Sequence, residues 1–261
     1  MDAWPATAEE LVRAQEELAR AAPPRWRPVG EDVAAAACFV CFERGPSGPG
    51  RRGETAWAGA AVTRGGRLIA HAAVTGLAGD AYEPGLLALR EGPVLERAVG
   101  ALTERPDVLL VDATGRDHPR RAGLALQLGA ILDRPSVGVT HRPLLADGDW
   151  PADEGGACSP LWIDDELVGY WLRTRPGTRP LAVHAAWRTD AEAAVELVLR
   201  TLAGVRTPEP LRAARTAARA ARARADLRRL GSSGEGAATL RPRGVSKFAF
   251  RPQIPGSRDV N

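Results

Sequence analysis

The chain has 261 residues, with 35 Lys or Arg against 32 Asp or Glu and an apolar content of 44%. This suits one large domain, or one domain with an appendage. No run of eighteen apolar residues and no basic-then-apolar N-terminal pattern is present, which argues against a membrane span or signal peptide and makes a cytoplasmic monomer the default expectation. Cys38, Cys41 and Cys158 are too few for a disulfide framework.

Taken in order, Thr7-Ala8-Glu9-Glu10 forms a capping box. Leu11, Ala14, Leu18 and Ala21 follow at helical spacing until Ala22-Pro23-Pro24 stops the helix. Three strand-like segments come next, Ala34 to Glu43, Thr55 to Thr63 and Leu68 to Thr75, joined by Gly-rich turns as in an antiparallel meander. Cys38 and Cys41 face opposite sides of the first strand, against a zinc or redox pair. Pro84-Gly85 opens a helical pattern to about Thr103, and Pro93 predicts a break just before it.

The second half alternates. Strand 107–112 leads to helix 119–133, and Pro135 to Val139 forms a short buried strand. A Gly/Asp/Pro-rich loop covers 140–157, and Pro160 to Arg173 reads as a hairpin turning at Asp164-Asp165-Glu166. Leu181 to Trp187 is a strand and Asp190 to Ala203 a helix. Three antiparallel strands followed by α-β-α-β units predict an α/β fold, a mixed sheet with helices on both faces.

Pro208-Glu209-Pro210 opens a last helix to about Leu230. Its arginines at 212, 215, 219, 222 and 229 make a basic stripe beside a small-residue stripe of Ala214, Ala218, Ala221 and Ala225. From Gly231 the composition reads as a disordered basic tail, so the expected division is a domain over 1–230 and a tail over 231–261. Residues 211–261 hold twelve Arg or Lys and three Asp or Glu, while the first 210 carry 23 and 29. A basic segment on a mildly acidic body favours polyanions; a solvated tail without a specific partner is the alternative.

The stretch richest in chemistry is Val111-Asp112-Ala113-Thr114-Gly115-Arg116-Asp117-His118-Pro119-Arg120-Arg121, which follows the apolar run Val108 to Val111. A carboxylate at the C-terminal end of a buried strand is where open α/β sheets place their chemistry. A capped helix start with Pro119 in its first turn is the other reading.

Several segments, together and in this order, resemble the endonuclease V family, whose members cut a phosphodiester bond near deoxyinosine in DNA or inosine in RNA. They are Val111-Asp112 with Gly115 and His118-Pro119-Arg120-Arg121-Ala122-Gly123; Tyr82-Glu83-Pro84-Gly85 through Arg90-Glu91; Pro135 to Val139; Arg206-Thr207-Pro208-Glu209-Pro210; and Trp4-Pro5-Ala6-Thr7. The resemblance runs from about residue 3 to about 225 and implies a ribonuclease H-like sheet. It also implies a catalytic set of Asp112, Glu91 and His118, with Asp112 and Glu91 as ligands of Mg²⁺ or Mn²⁺. His118 would serve near the phosphate as a donor or proton-transfer group. Tyr82, with Pro84 and Gly85, would form a wedge that parts the strands while a base is flipped. Gly115 and Gly138 would let backbone approach that base, and Arg120, Arg121 and His141 would complete the nucleic-acid contacts. The implied partner is DNA or RNA, inosine-containing or locally single-stranded. The ordinary readings stand beside these: Glu91 as a solvated helix residue, Tyr82 as a half-buried aromatic, the glycines as turns.

The chain departs from the family pattern where a metal site needs it most. Cys38-Phe39-Val40-Cys41-Phe42 puts Phe39 where the family's first strand carries a metal-binding Asp. His141 stands for the family's lysine, Trp187 for a late histidine, and Glu83 for the wedge isoleucine. Phenylalanine supplies neither charge nor ligand. Glu43 shares its strand face but lies about 13 Å along it. Two expectations follow: a nuclease with a rearranged metal site built from Asp112, Glu91 and His141 or Asp117, or a non-catalytic member that binds nucleic acid or a protein.

Overall fold

The computed structural model describes residues 3–30, 32–45 and 47–234. Helix α1 spans Ala8–Arg20, and its capping box forms as expected: Thr7 Oγ1 accepts from the Glu10 N–H at 3.2 Å and Glu10 Oε2 from the Ala6 N–H at 2.8 Å. The meander follows as β1 (Ala35–Phe42), β2 (Thr55–Arg64) and β3 (Arg67–Leu77). Then come α2 (Leu87–Gly100), β4 (Val108–Val111), α3 (Leu124–Ile131), β5 (Ser136–Thr140), the hairpin β6 (Cys158–Ile163) and β7 (Glu166–Leu172), β8 (Leu181–Ala185), α4 (Ala191–Arg200) and α5 (Glu209–Gly234). One compact unit runs to Ala225. The last helix continues to Gly234, and the expected tail from 235 onward lies outside the described residues.

The strands form one eight-stranded sheet in the order β3-β2-β1-β4-β5-β8-β7-β6. β1, β4 and β5 are parallel neighbours at its centre, Cys38 paired with Val111 and Val111 with Gly138, while the remaining pairings are antiparallel. Alternation along β1 sends Ala36, Cys38 and Val40 into the core beneath α2 and α3. Ala35 and Ala37 go to the core beneath α4 and α5. The two strand cysteines therefore face opposite sides, as expected.

Three local expectations are corrected. Pro93 lies inside α2 without ending it. A proline there leaves carbonyls of the preceding turn without their helical donors; the Gly79 N–H donates to Arg90 O at 3.1 Å, and a Cβ on Gly79 would sit 2.0 Å from Leu89 O. The loop before α2 thus packs directly on the turn that Pro93 interrupts. Next, the helix expected at 119 begins only at Leu124. Arg121 is left-handed at φ 54°, and Gly123 N–H and Ala125 N–H turn back to Gly115 O and Thr114 O at 2.8 and 3.1 Å.

The third correction concerns α5. Its alanine stripe lies on the sheet backbone: a Cβ on Gly59 of β2 would meet Ala214 O at 2.4 Å and Ala218 N at 2.6 Å. Close approach fixes which way the neighbouring arginines point. Arg215, Arg219 and Arg222 reach onto Asp112, Phe39 and the Phe42 carbonyl, and Arg212 pairs with Glu209. They do not form a free stripe for a polyanion.

Candidate functional site

Parallel neighbours end at the same edge of a sheet, so the residues just past β4, along β1 and at the end of β5 converge. Continuing the register by one residue places Asp112 between Phe39 of β1 and Val139 of β5. Asp112 shares its face with Leu110, the α5 side, and there it meets a cation. Arg215 donates to Asp112 Oδ2 from Nη2 at 2.7 Å and from Nε at 3.2 Å. Phe39 lies under the same group, with the Arg215 and Arg219 guanidinium carbons 5.6 and 5.7 Å from its ring centre.

Glu91 comes from α2 toward the same place. Its carboxyl is pushed up to about 8, chiefly by burial, with Arg90 opposing and Asp112 adding to the rise. Cys38 has its thiol pushed up by burial and then by Asp112 and Glu91. The expected pair of carboxylates is therefore brought together.

A cavity of about 180 Å³ opens beside them, lined by Asp112, His118, Tyr82, Gly85, Gln127 and Thr140, among others. Tyr82 is half exposed on its rim. Gln127 is fully buried; its Nε2 donates to Ala122 O at 2.9 Å, leaving Oε1 without a hydrogen-bond partner. One backbone acceptor beside the cavity gathers three donors. Gly85, at φ +80°, offers its carbonyl to Gln15 Nε2 at 3.0 Å, to Arg120 Nη2 at 3.1 Å and to His118 Nε2 at 3.1 Å.

His118 Nδ1 accepts from the Arg120 N–H at 3.2 Å, so the imidazole is the Nε2–H tautomer. Burial pushes it down to about 4; the Gly85 hydrogen bond opposes this, and Arg120 adds to it. A neutral histidine with both nitrogens engaged ties the Gly85 turn to the Arg120 backbone. Arg120 likewise spends Nε on Gln15 Oε1 at 2.5 Å, and Arg121 pairs with Glu166 at 2.7 Å and Asp164 at 3.3 Å.

Other expected residues stand elsewhere. A Cβ on Gly115 would lie 2.1 Å from Ala185 O, and one on Gly138 2.4 Å from Ala113 O. Both glycines let protein backbones pass closely, rather than lining the cavity for a base. Asp117 is fully buried and accepts from the N–H groups of Leu144, Leu145 and Ala146 at 2.6, 2.8 and 2.9 Å, which removes it from any metal set. Beside it the buried His184 donates Nε2–H to Thr140 Oγ1 at 2.9 Å, since that hydroxyl is spent on Arg142 O. Trp187 binds Ser136 Oγ from its N–H at 3.2 Å, at the far end of β5 from Thr140, so this departure falls away from Asp112. Exposed His141 accepts at Nδ1 from Arg206 Nη1 at 3.1 Å and is pushed below its ordinary value by partial burial, then by Arg206 and Arg215.

These residues do not fit a divalent cation. Oxygen-rich hard-ion sites need several carboxylates with open lone pairs. Here Phe39 contributes none, Asp112 Oδ2 is clasped by Arg215, and burial favours the protonated form of Glu91. Among the described residues no group of three or more His, Cys, Asp or Glu could hold a metal ion.

The sequence reading missed Gln15, Gln127 and the inward turn of Arg215. Arg215 stood in the visible stripe, but only the Gly59 contact decides its direction.

A central parallel trio with antiparallel flanks, and a carboxylate at the end of its middle strand, defines a ribonuclease H-like α/β protein. The sequence profile of the family Endonuclease V matches residues 50–216, and the chain belongs to the endonuclease V family. It is 43% identical over 133 residues to endonuclease V of Roseiflexus castenholzii, a stretch covering 51% of this chain and 60% of that protein. The endonuclease V structure from Streptomyces avermitilis matches 85% of this chain and 96% of its own at 31% identity, with a TM-score of 0.76. The fold also matches Ciona intestinalis endonuclease V in complex with a 24mer DNA containing an inosine followed by a ribo-adenosine (TM-score 0.68, 18% identity, 83% and 98% covered).

Proposed function

We propose that this chain binds inosine-containing or locally single-stranded DNA or RNA at the cavity behind Tyr82, and that family-type phosphodiester hydrolysis is reduced or lost. One observation carries the reading: Arg215 clasps Asp112 while Phe39 stands beside it. A guanidinium at that point is a fixed cation held by the protein, and it neither activates water nor exchanges. The wedge residues Tyr82, Pro84 and Gly85, the Gly85 carbonyl hub and the cavity behind them support retained binding. Family membership supports a nucleic acid as the ligand, as in the inosine-containing complex of the Ciona relative.

A second reading, a weak nuclease using Asp112, Glu91 and His141, is favoured by the closeness of the two carboxylates and by the influence of Asp112 on His141. Incubation of single- and double-stranded inosine-containing oligonucleotides with Mn²⁺, beside Asp112→Ala, separates the two. We expect binding without cleavage; cleavage abolished by Asp112→Ala would establish the nuclease instead.

A further inference from the structure

Beyond Asp112 the edge of the site holds two arginines, Arg206 and Arg179, that have no carboxylate partner among the described residues, while Arg173 nearby pairs with Asp153 at 3.3 Å. Arg206 spends its guanidinium on neutral groups: Nε donates to Arg179 O at 2.6 Å, Nη2 to Pro180 O at 3.0 Å and Nη1 to His141 Nδ1 at 3.1 Å. Among the described residues neither Arg206 nor Arg179 pairs with a carboxylate, and the one acid beside this group, Asp112, is already taken by Arg215. Arg206 is pushed below its ordinary value by burial, then by Arg179 and Arg215. Like charges gathered at a half-buried place are stabilised by an anion from outside.

The cluster ends on an aromatic surface. The Arg179 guanidinium carbon lies 5.5 Å from the Trp150 ring centre, and that indole is half exposed. Its position is fixed from beneath by Trp171, edge-on at 6.2 Å, and by buried Arg173 at 5.8 Å. A cationic track leading to a rigid exposed ring is what a single strand needs: guanidiniums for successive phosphates and a π-face for a base.

We infer that Arg206 and Arg179, beside the internally paired Arg215, form a metal-independent phosphate site for a single polynucleotide strand, with Trp150 stacking a base beyond the cavity. This rests on the nucleic-acid reading above and adds to it where the strand runs. The track passes the mouth of the cavity and continues toward the hairpin of β6 and β7.

The test is fluorescence anisotropy of the full chain with a labelled single-stranded oligodeoxynucleotide carrying one inosine, in EDTA. Binding is expected without metal and unchanged when Mn²⁺ replaces EDTA. Trp150→Ala is expected to weaken it about tenfold, with Trp150→Phe retaining most of the affinity. Arg179→Ala, at an exposed position, is expected to flatten the plot of log K against log salt by about 0.7. Arg206→Ala is read only if its thermal melt matches the parent. Binding that is tight but indifferent to Trp150→Ala and Arg179→Ala overturns the track and leaves the nucleic-acid reading standing. A requirement for Mn²⁺ overturns its metal independence. Full competition by inorganic phosphate at matched ionic strength overturns the strand in favour of a small anion. Failure of the parent chain to bind any oligonucleotide, inosine-containing or not, overturns the nucleic-acid reading and the track with it.

Discussion

Arg215 donates to one oxygen of Asp112 from two of its nitrogens, at 2.7 and 3.2 Å, so the carboxylate at the end of the central strand is neutralised from within the chain. Both side chains are mostly shielded, at 17% and 21% exposure. Arg215→Ala therefore leaves a half-buried charge unpaired and is expected to cost roughly 1–3 kcal/mol in urea denaturation at pH 7. An unchanged midpoint would show that the pair is solvated.

Freeing Asp112 also changes what it can hold. The double variant Phe39→Asp, Arg215→Ala places two carboxylates side by side across the β1–β4 register and removes the resident cation. Calorimetric titration with Mn²⁺ is expected to give no heat with the parent chain and saturable binding with the double variant. Equal binding by both would show that Arg215 and Phe39 do not exclude the ion.

The acid limb of stability is expected to report His118. Its folded value, about 4, lies below the ordinary 6.5, so the unfolded chain binds the extra proton between those values. The contribution is complete above about pH 6.5 and is lost as pH falls toward 4, by up to roughly 3 kcal/mol. His118→Gln, which can still donate to Gly85 O, should flatten that limb in chemical denaturation. A profile as steep as the parent's would assign the effect to other groups.

Glu91 acts with the opposite sign. Its carboxyl, pushed up to about 8, holds a proton in the folded chain that the unfolded chain releases above about 4.5. Stability therefore declines as pH rises from about 4.5 to 8. Glu91→Gln is expected to raise the melting temperature at pH 8 and to do little at pH 4.5. A loss at pH 8 would mean that the ionised form is held by a partner.

Gly115→Ala separates packing from recognition. The new methyl would fall 2.1 Å from Ala185 O, against backbone that has no rotamer to yield. A loss of about 1–3 kcal/mol is expected with no nucleic acid present. Unaltered stability with impaired inosine binding would return Gly115 to a role at the base.

The succession of elements along the chain and most of their boundaries were legible because they rest on local signals. The capping box, the Gly-Gly turn at 65–66, the apolar run Val108 to Val111 and Asp190 as an N-cap all act within a few residues. Asp112 was legible as a carboxylate at the end of a buried strand, and its pairing with Glu91 only through the family resemblance. What escaped depends on distant partners. The length of α3 follows from Gly85 O gathering His118 and Arg120, which keeps residues 118–123 out of the helix. Pro93 sits in a continuous helix whose preceding turn is packed against the Gly79 loop, 14 residues away in the chain. The alanine stripe of α5 marks a face that can pack closely, but nothing within the helix says that Gly59 of β2 is what it meets.

Gly59 sits two strands from Asp112, with its register partner Phe39 between them, yet it governs the charge there. The last helix rests directly on its bare α-carbon, where an added methyl would come within 2.4 Å of Ala214 O, against the 3.4–4 Å of an ordinary contact. Any larger residue at 59 would lift that helix from the sheet, and the stem of Arg215 would rise with it. Asp112 would then face open solvent or an incoming ion. An atom missing from the middle of a strand acts as a remote latch on the electrostatics of the sheet's edge.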